Sequence, residues 1–153
     1  LIMEEVAHEL MPHARKQAQL IAVKSFRQRQ TILADKGCLH AVLFNLLDNA
    51  IKYSDAEATI ELEARLRHGN AQLVVKDYGQ GIKKNDLKKL FSQFGRVQRP
   101  VPQWATTTGL GLYIAKQLTE AMNGKLELTR RKDGSSFLVN LQLSKQLSLF
   151  GEL

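Results

Sequence analysis

The sequence predicts an α/β sandwich, with helices on one face of a mixed β-sheet. Three observations predict it. Segments with helical apolar spacing and segments of alternating character interleave along the chain instead of falling into separate halves. A hairpin signal, Asp133-Gly134 between two β-prone runs, closes the order. The chain has 153 residues, 44% of them hydrophobic and 24% charged, enough for one domain with a real core.

Each element follows from its own pattern. Ile2, Val6, Leu10 and Ala14 recur at helical spacing and give a first helix, which Pro12 should kink or displace. "LIAVKSF" (20–26) and "TILAD" (31–35) read as short strands. Residues 39–53 form the clearest helix, with Leu39, Val42, Leu43, Leu46, Leu47, Ala50 and Ile51 on one stripe. Asp35, just before it, either caps that helix or closes the strand. "ATIELEARLR" (58–67) and "AQLVVKD" (71–77) read as strands around a turn at His68-Gly69-Asn70, with 57–63 and 65–68 expected on the exposed edge of a sheet. Residues 85–94 read as a short helix with Asn85 as N-cap. Residues 100–108 have no periodicity and hold two prolines, so they form a loop. Residues 110–122 form a helix with Leu110, Ile114, Leu118 and Ala121 on one face, stopped by Asn123-Gly124. "KLELTRR" (125–131) and "SFLVNLQL" (136–143) flank the final turn. The domain is expected over 1–144, with 145–153 as a tail or the start of a linker.

Composition narrows the function. The formal charge is +7, with basic residues at Lys83-Lys84, Lys88-Lys89, 96–99 and 130–132. No aromatic residues interleave with them as single-strand binders require, so a solvated basic surface is preferred to a nucleic-acid site. No apolar run approaches a bilayer span, and the N-terminus lacks signal-peptide features. The chain opens on Leu1, as expected of a piece of something longer. The lone Cys38 excludes an internal disulfide and fits a reducing, cytoplasmic compartment. Only Lys36 stands near it as a charge, so no reactive thiol is expected.

Three motifs carry chemistry. On the 39–53 helix, Asn45, Asp48, Asn49 and Lys52 form a polar stripe beside the apolar one. A solvated face explains a lone stripe, but asparagine is a weak helix former, an amide oxygen suits a hard cation, and lysine suits phosphate. "DYGQGI" (77–82) places a carboxylate at a strand end before two alternate glycines. It is either a simple turn or a place where backbone approaches a flat ligand and the carboxylate accepts from an exocyclic amine. "TTTGLGLYIAKQL" (106–118) puts Gly109 and Gly111 at a helix start, either a glycine-rich cap or an anion site. Ile114 stands where a dinucleotide fingerprint needs its third glycine, and no Gly-Lys-Ser/Thr follows.

The order and spacing of "NLLDNAIKYS", "DYGQGI", "LFSQF" and "TGLGL" resemble the N, G1, F and G2 boxes of the GHKL ATPase and kinase superfamily. The likeness is nearest to the catalytic, ATP-binding domain of bacterial sensor histidine kinases and covers residues 2–143. It implies the Bergerat fold, a mixed sheet on about three helices, with ATP between the helical layer and a lid spanning 95–108. It implies that Asn49 coordinates Mg²⁺, that Asn45 borders the phosphate site, and that Lys52 and Tyr53 face phosphates and nucleotide. Asp77 would take the adenine amino group, with Gly79, Gly81 and Ile82 around the purine. Thr108, Gly109, Leu110, Gly111 and Leu112 would lead the phosphates to the helix N-terminus. Phe91 and Phe94 would anchor the start of the lid, and Arg96 would reach the γ-phosphate. Trp104 is unexpected there; contact with a partner domain is preferred to cover of the nucleotide.

The implied activity is transfer of the γ-phosphate of Mg-ATP to a histidine, with Asn45, Lys52 and Arg96 as the catalytic set. The implied partners are a helical dimerisation and phosphoacceptor domain, of the same or a partner subunit, and a response-regulator receiver domain. Neither nucleic acid nor direct membrane contact is expected, whether or not the full protein is anchored. ATP-hydrolysing members carry a glutamate base where this chain has Asn45, and an amide cannot take a proton from water. Asp48 is expected to face away. The alternatives are a serine kinase of the anti-sigma-factor type and a non-catalytic nucleotide-binding or interaction module. "VAHELMPHA" (6–14) resembles the start of a phosphoacceptor box, but lacks its arginine and brings its proline one place early. His8 also falls opposite Ile2, Val6 and Leu10, and only 37 positions before Asn45. The acceptor histidine is therefore expected elsewhere.

Overall fold

A computed structural model describes residues 1–27, 30–95, 101–131 and 133–144. Its elements are α1 (Ile2–Arg15), β1 (Leu20–Lys24), α2 (Lys36–Tyr53), β2 (Thr59–Arg67), β3 (Asn70–Lys76), a 3₁₀ turn (Lys84–Asp86) running into α3 (Leu87–Leu90), α4 (Gly111–Ala121), β4 (Lys125–Arg131) and β5 (Gly134–Gln142). The tail at 145–153 lies outside the described residues.

One five-stranded sheet has the order β1-β2-β3-β5-β4. β1 runs parallel to β2, and the other pairs are antiparallel, so the sheet is mixed as expected. The register aligns one apolar row across it, with Leu62 beside both Val23 and Val75, and Phe137 beside both Val75 and Leu128. That row, the α1 residues Val6 and Leu10, and the α2 stripe from Leu39 to Ile51 form a single buried cluster. α2 lies between α1 and α4 and rests on β2 and β3. The opposite face of the sheet is polar and ordered. Arg65 donates to Gln72, Gln72 to Asn140 and Asn140 to Glu127, a relay across four strands with each bond between 2.7 and 2.9 Å.

Several expectations need correction. Residues 31–35 form no strand; a single bridge joins Ile32 to Leu143. Asp35 is instead the N-cap of α2, its carboxylate accepting from the Cys38 N–H at 2.8 Å, so the helix starts before its apolar stripe. That backbone bond holds the Asp35 carboxyl below its usual range, while the Asp35 contact pushes the Cys38 thiol up, in keeping with an inert cysteine. The segment 57–63 does not form a sheet edge. β2 is internal, because β1 pairs alongside it, and strand alternation alone cannot reveal a parallel neighbour placed by an intervening helix.

The 85–94 helix breaks into the 3₁₀ turn and one turn of α-helix, with Asn85 inside the turn and no side-chain cap. Ser92 Oγ donates to the Lys89 carbonyl at 2.7 Å, a local competitor to helix propagation. α1 runs through Pro12, which sits exposed within it. On α4 the buried face is Leu112, Ala115 and Thr119, not the Ile114–Ala121 face. Thr119 can be buried because its hydroxyl donates to the Ala115 carbonyl at 2.7 Å. The helix stops as expected: Asn123 is left-handed (φ 55°) and the Gly124 N–H returns to the Thr119 carbonyl.

Candidate functional site

The buried stripe of α2 fixes what its polar stripe can face. Asn45, Asp48, Asn49, Lys52 and Tyr53 all line one cavity of about 420 Å³, opposite residues 106–112 and Ile114. The Asn45 side-chain N–H₂ donates to the Ala41 carbonyl at 2.8 Å, which commits its nitrogen and turns its oxygen toward α4. A Cβ on Gly111 would come within 3.0 Å of that oxygen. An amide oxygen thus faces the first residue of a helix whose first-turn N–H groups have no intrahelical partner. Leu110, the N-cap, offers no side-chain bond, and its own N–H reaches Thr108 Oγ1 at 3.3 Å. Gly109 takes a positive φ of 74°, with its α-carbon packed against the Phe94 backbone.

Asp48 does not face away. It lines the cavity, pairs with Lys52 one turn on, and has His13 Nδ1 at 3.8 Å. Positions 45, 48, 49 and 52 fall on one helical face, so Asp48 belongs to the stripe. Lys52 also donates to the Thr106 carbonyl at 2.9 Å. Asn49 carries a buried amide nitrogen without a hydrogen-bond partner, so the fold does not consume this amide. Among the described residues no three His, Cys, Asp or Glu side chains converge on a metal position. The amide oxygens of Asn45 and Asn49 are neutral oxygen donors of the kind a hard cation such as Mg²⁺ accepts.

Asp77 ends β3 and is 1% exposed. Its Oδ1 accepts from the Gly79 N–H at 3.2 Å and the Ser135 N–H at 3.1 Å, so the final hairpin and the glycine turn together aim the carboxylate. Gly79 forms a bridge to Ser54, and a Cβ there would lie 1.9 Å from the Tyr53 carbonyl oxygen. Its missing side chain admits the end of α2, a different reason from the purine space expected. Gly81 takes a positive φ of 69°, and Ile82 is buried. Asp77, Gly79, Gly81 and Ile82 are not among the residues lining the main cavity, and Gly79 packs against the Tyr53 backbone. In the F box, Phe91 anchors edge-on against Phe137, with ring centroids 6.3 Å apart. Phe94 does not anchor; it is left-handed and 64% exposed. Arg96 lies outside the described residues.

Two groups escaped the sequence reading. Gln19 is 2% exposed, and its amide nitrogen lies 3.1 to 3.2 Å from the carbonyls of Ile51, Ser54 and Asp55. Gln17 donates to the Ile51 carbonyl at 2.8 Å. Together they cap the C-terminus of α2 beside Lys52 and Tyr53. "QAQ" ahead of a strand gives no sign of this, because the acceptors are more than 30 positions away. The second is Glu61, which accepts from Tyr78 Oη at 2.7 Å and tethers the "DYGQGI" turn to the sheet. The Tyr78 hydroxyl first, then Lys24 and Lys76, hold its carboxyl down at about 2 despite partial burial. Burial works against the Lys76 charge, but bonds to Glu63 and Glu61 outweigh it and keep that ammonium above its usual range. Strand alternation could have found this pair, since Glu61 and Lys76 are register partners.

Residues of the N, F and G2 boxes thus line one cavity, and residues 34–145 match the family of histidine kinase-, DNA gyrase B- and HSP90-like ATPases. This chain belongs to that family. It is 35% identical over 111 residues to the sensor-like histidine kinase SenX3 of Mycolicibacterium smegmatis, covering 72% of this chain and 29% of that protein. It is 36% identical over 126 residues to the sensor histidine kinase YkoH of Bacillus subtilis, covering 82% and 27%. The chain thus spans less than a third of these relatives' length. Full-length ShkA in complex with AMPPNP aligns with a TM-score of 0.80 and 26% identity, over 93% of this chain and 29% of that one. The catalytic domain of the histidine kinase ThkA shares the fold, with a TM-score of 0.78 over 92% of this chain and 89% of that one, at 23% identity. No helix among the described residues is long and apolar enough to cross a membrane.

Proposed function

We propose that this chain is the ATP-binding catalytic domain of a two-component sensor histidine kinase. It passes the γ-phosphate of Mg-ATP to a histidine on a helical dimerisation and phosphoacceptor domain. One observation carries this reading: the Asn45 oxygen and the polar stripe of α2 face the N-terminus of α4 across one cavity. An amide-lined helix face opposite free backbone N–H groups suits a metal-bound polyphosphate.

Each residue then has a part. Asn49 would hold Mg²⁺, which would supply charge neutralisation for the phosphates. The amides of Gly111 and Leu112 take phosphate oxygens, with Asn45 bordering them, and Lys52 supplies a point charge. Tyr53 flanks the nucleoside. Asp77, held on two backbone N–H groups, accepts the adenine amino group and selects against guanine, whose carbonyl there would repel it. Ile82 closes the purine side, Leu110, Thr108 and Gly109 carry the lid's return, and Arg96 reaches the γ-phosphate. Asn45 cannot serve as a base, and Asp48, the one carboxylate lining the cavity among the described residues, is engaged by Lys52. That combination favours transfer to a histidine over hydrolysis. The reaction takes place in the cytoplasm, and a receiver domain accepts the phosphate afterwards.

The test is transfer from labelled ATP to a separately supplied, histidine-bearing helical domain. Acid-labile phosphate on that histidine is expected, and acid-stable phosphoserine on a supplied anti-sigma substrate would favour the serine-kinase alternative. His8, exposed on α1, should stay unlabelled when the chain is incubated alone with Mg-ATP.

A further inference from the structure

We infer that Trp104 is a latch. It docks residues 101–108 onto the end of α1 and keeps the Thr106 carbonyl on Lys52, so latch and nucleotide compete for that ammonium. This regulation rests on the reading of the cavity as a nucleotide site.

The contacts close a ring. The Trp104 ring centroid lies 5.4 Å from that of His13, tilted by 44°. Lys16 Nζ lies 5.2 Å from the same ring's centre, a cation–π distance. Two residues on, the Thr106 carbonyl accepts from Lys52, Lys52 pairs with Asp48, and Asp48 lies beside His13. The segment is thus fastened to α1 by an aromatic side chain and to α2 by a backbone carbonyl.

The second fastening opposes nucleotide, and the first holds it in place. Among the described residues Lys52 is the one cation lining the main cavity, and it is committed to Asp48 and a carbonyl of the segment. A phosphate must take that donor and would otherwise meet the negative end of the Thr106 carbonyl. At the other end, Val101 and Pro102 stand with Tyr53 and Gln80 around a second cavity of about 320 Å³. Where a latched state dominates about 10:1, the apparent dissociation constant rises about tenfold, and removing the latch recovers that factor. This assigns the last turn of α1 as the docking surface, so a displacement of that turn releases the site.

Trp104 is the chain's single tryptophan, so its emission reports the latch directly. In the nucleotide-free 153-residue chain it should be protected from acrylamide, and His13→Ala or Lys16→Ala should expose it. Equal quenching in all three would overturn the docking. Saturation with Mg-AMPPNP should red-shift the emission. Trp104→Ala and Lys16→Ala should each bind Mg-AMPPNP about 3- to 10-fold more tightly by calorimetry. Weaker binding by Trp104→Ala would mean that the side chain covers the nucleotide, and equal affinities would mean that the latch does not compete; either overturns the inference. If the wild type binds no Mg-AMPPNP, the nucleotide reading itself fails and the competition with it, while quenching still decides the docking.

Discussion

The two walls of the cleft are built in opposite ways. The α2 wall is one face of an 18-residue helix whose other face is buried along its whole length. Its polar groups stand where they do because Leu43, Leu46, Leu47 and Ala50 cannot turn outward. The facing wall, residues 106–110, is held by a carbonyl on Lys52, by the tryptophan two residues before it on α1, and by a glycine beside the Phe94 backbone. The first wall is a consequence of the core; the second is a consequence of a few contacts. A rigid wall opposite a lightly held one is what a site needs if it is to admit and enclose a large ligand.

Mutations should separate the walls. Leu46→Ala, in the fully buried stripe, should cost about 2–5 kcal/mol in chemical denaturation. Thr107→Ala, half-buried on the facing wall, should cost far less. A comparable loss from both would mean that the two walls are equally integral. Gly79→Ala should follow, at about 1–3 kcal/mol, because its Cβ would meet the Tyr53 carbonyl oxygen at 1.9 Å and the end of α2 would have to move. Gln19→Leu leaves the carbonyls of Ile51, Ser54 and Asp55 without this donor and should cost about 1–3 kcal/mol. It should also weaken ATP binding, since those carbonyls flank Lys52 and Tyr53. Retention of both stability and affinity would show that the α2 end is fixed by other contacts.

The smallest effect is electrostatic. Glu61 has a folded-state pKa depressed from 4.5 to about 2. Its contribution is full above 4.5 and is lost as the pH falls through about 2, because protonation then favours the unfolded chain. Stability measured between pH 5 and 2 should therefore decline less steeply in Glu61→Gln than in the wild type. Parallel profiles would show that this carboxylate does not tether the "DYGQGI" turn.

The same contrast explains what the sequence disclosed. The α2 stripes, the strand pairs joined by tight turns and the helix stop at Asn123-Gly124 are local patterns, and each is found where its periodicity puts it. The order of the four boxes led to the family because each box is a short contiguous string. Features decided at long range were misread. β2 became internal through a parallel neighbour, Asp48 was drawn to Lys52 and His13, and α4 buries Thr119 in place of Ile114. Gln19 and Trp104 were the least legible, since their partners are set by tertiary packing and nothing in their own neighbourhood names them.

The central claim is that the α2–α4 cleft holds Mg-ATP with the purine read by Asp77. Calorimetric titration of the wild type, Asn49→Ala and Asp77→Asn with ATP, each with Mg²⁺ and with EDTA, tests it most directly. The wild type should bind with an Mg²⁺-dependent gain that Asn49→Ala loses, and Asp77→Asn should abolish most of the affinity in both conditions. Unchanged ATP affinity in Asp77→Asn, or a full Mg²⁺ effect in Asn49→Ala, would contradict the account.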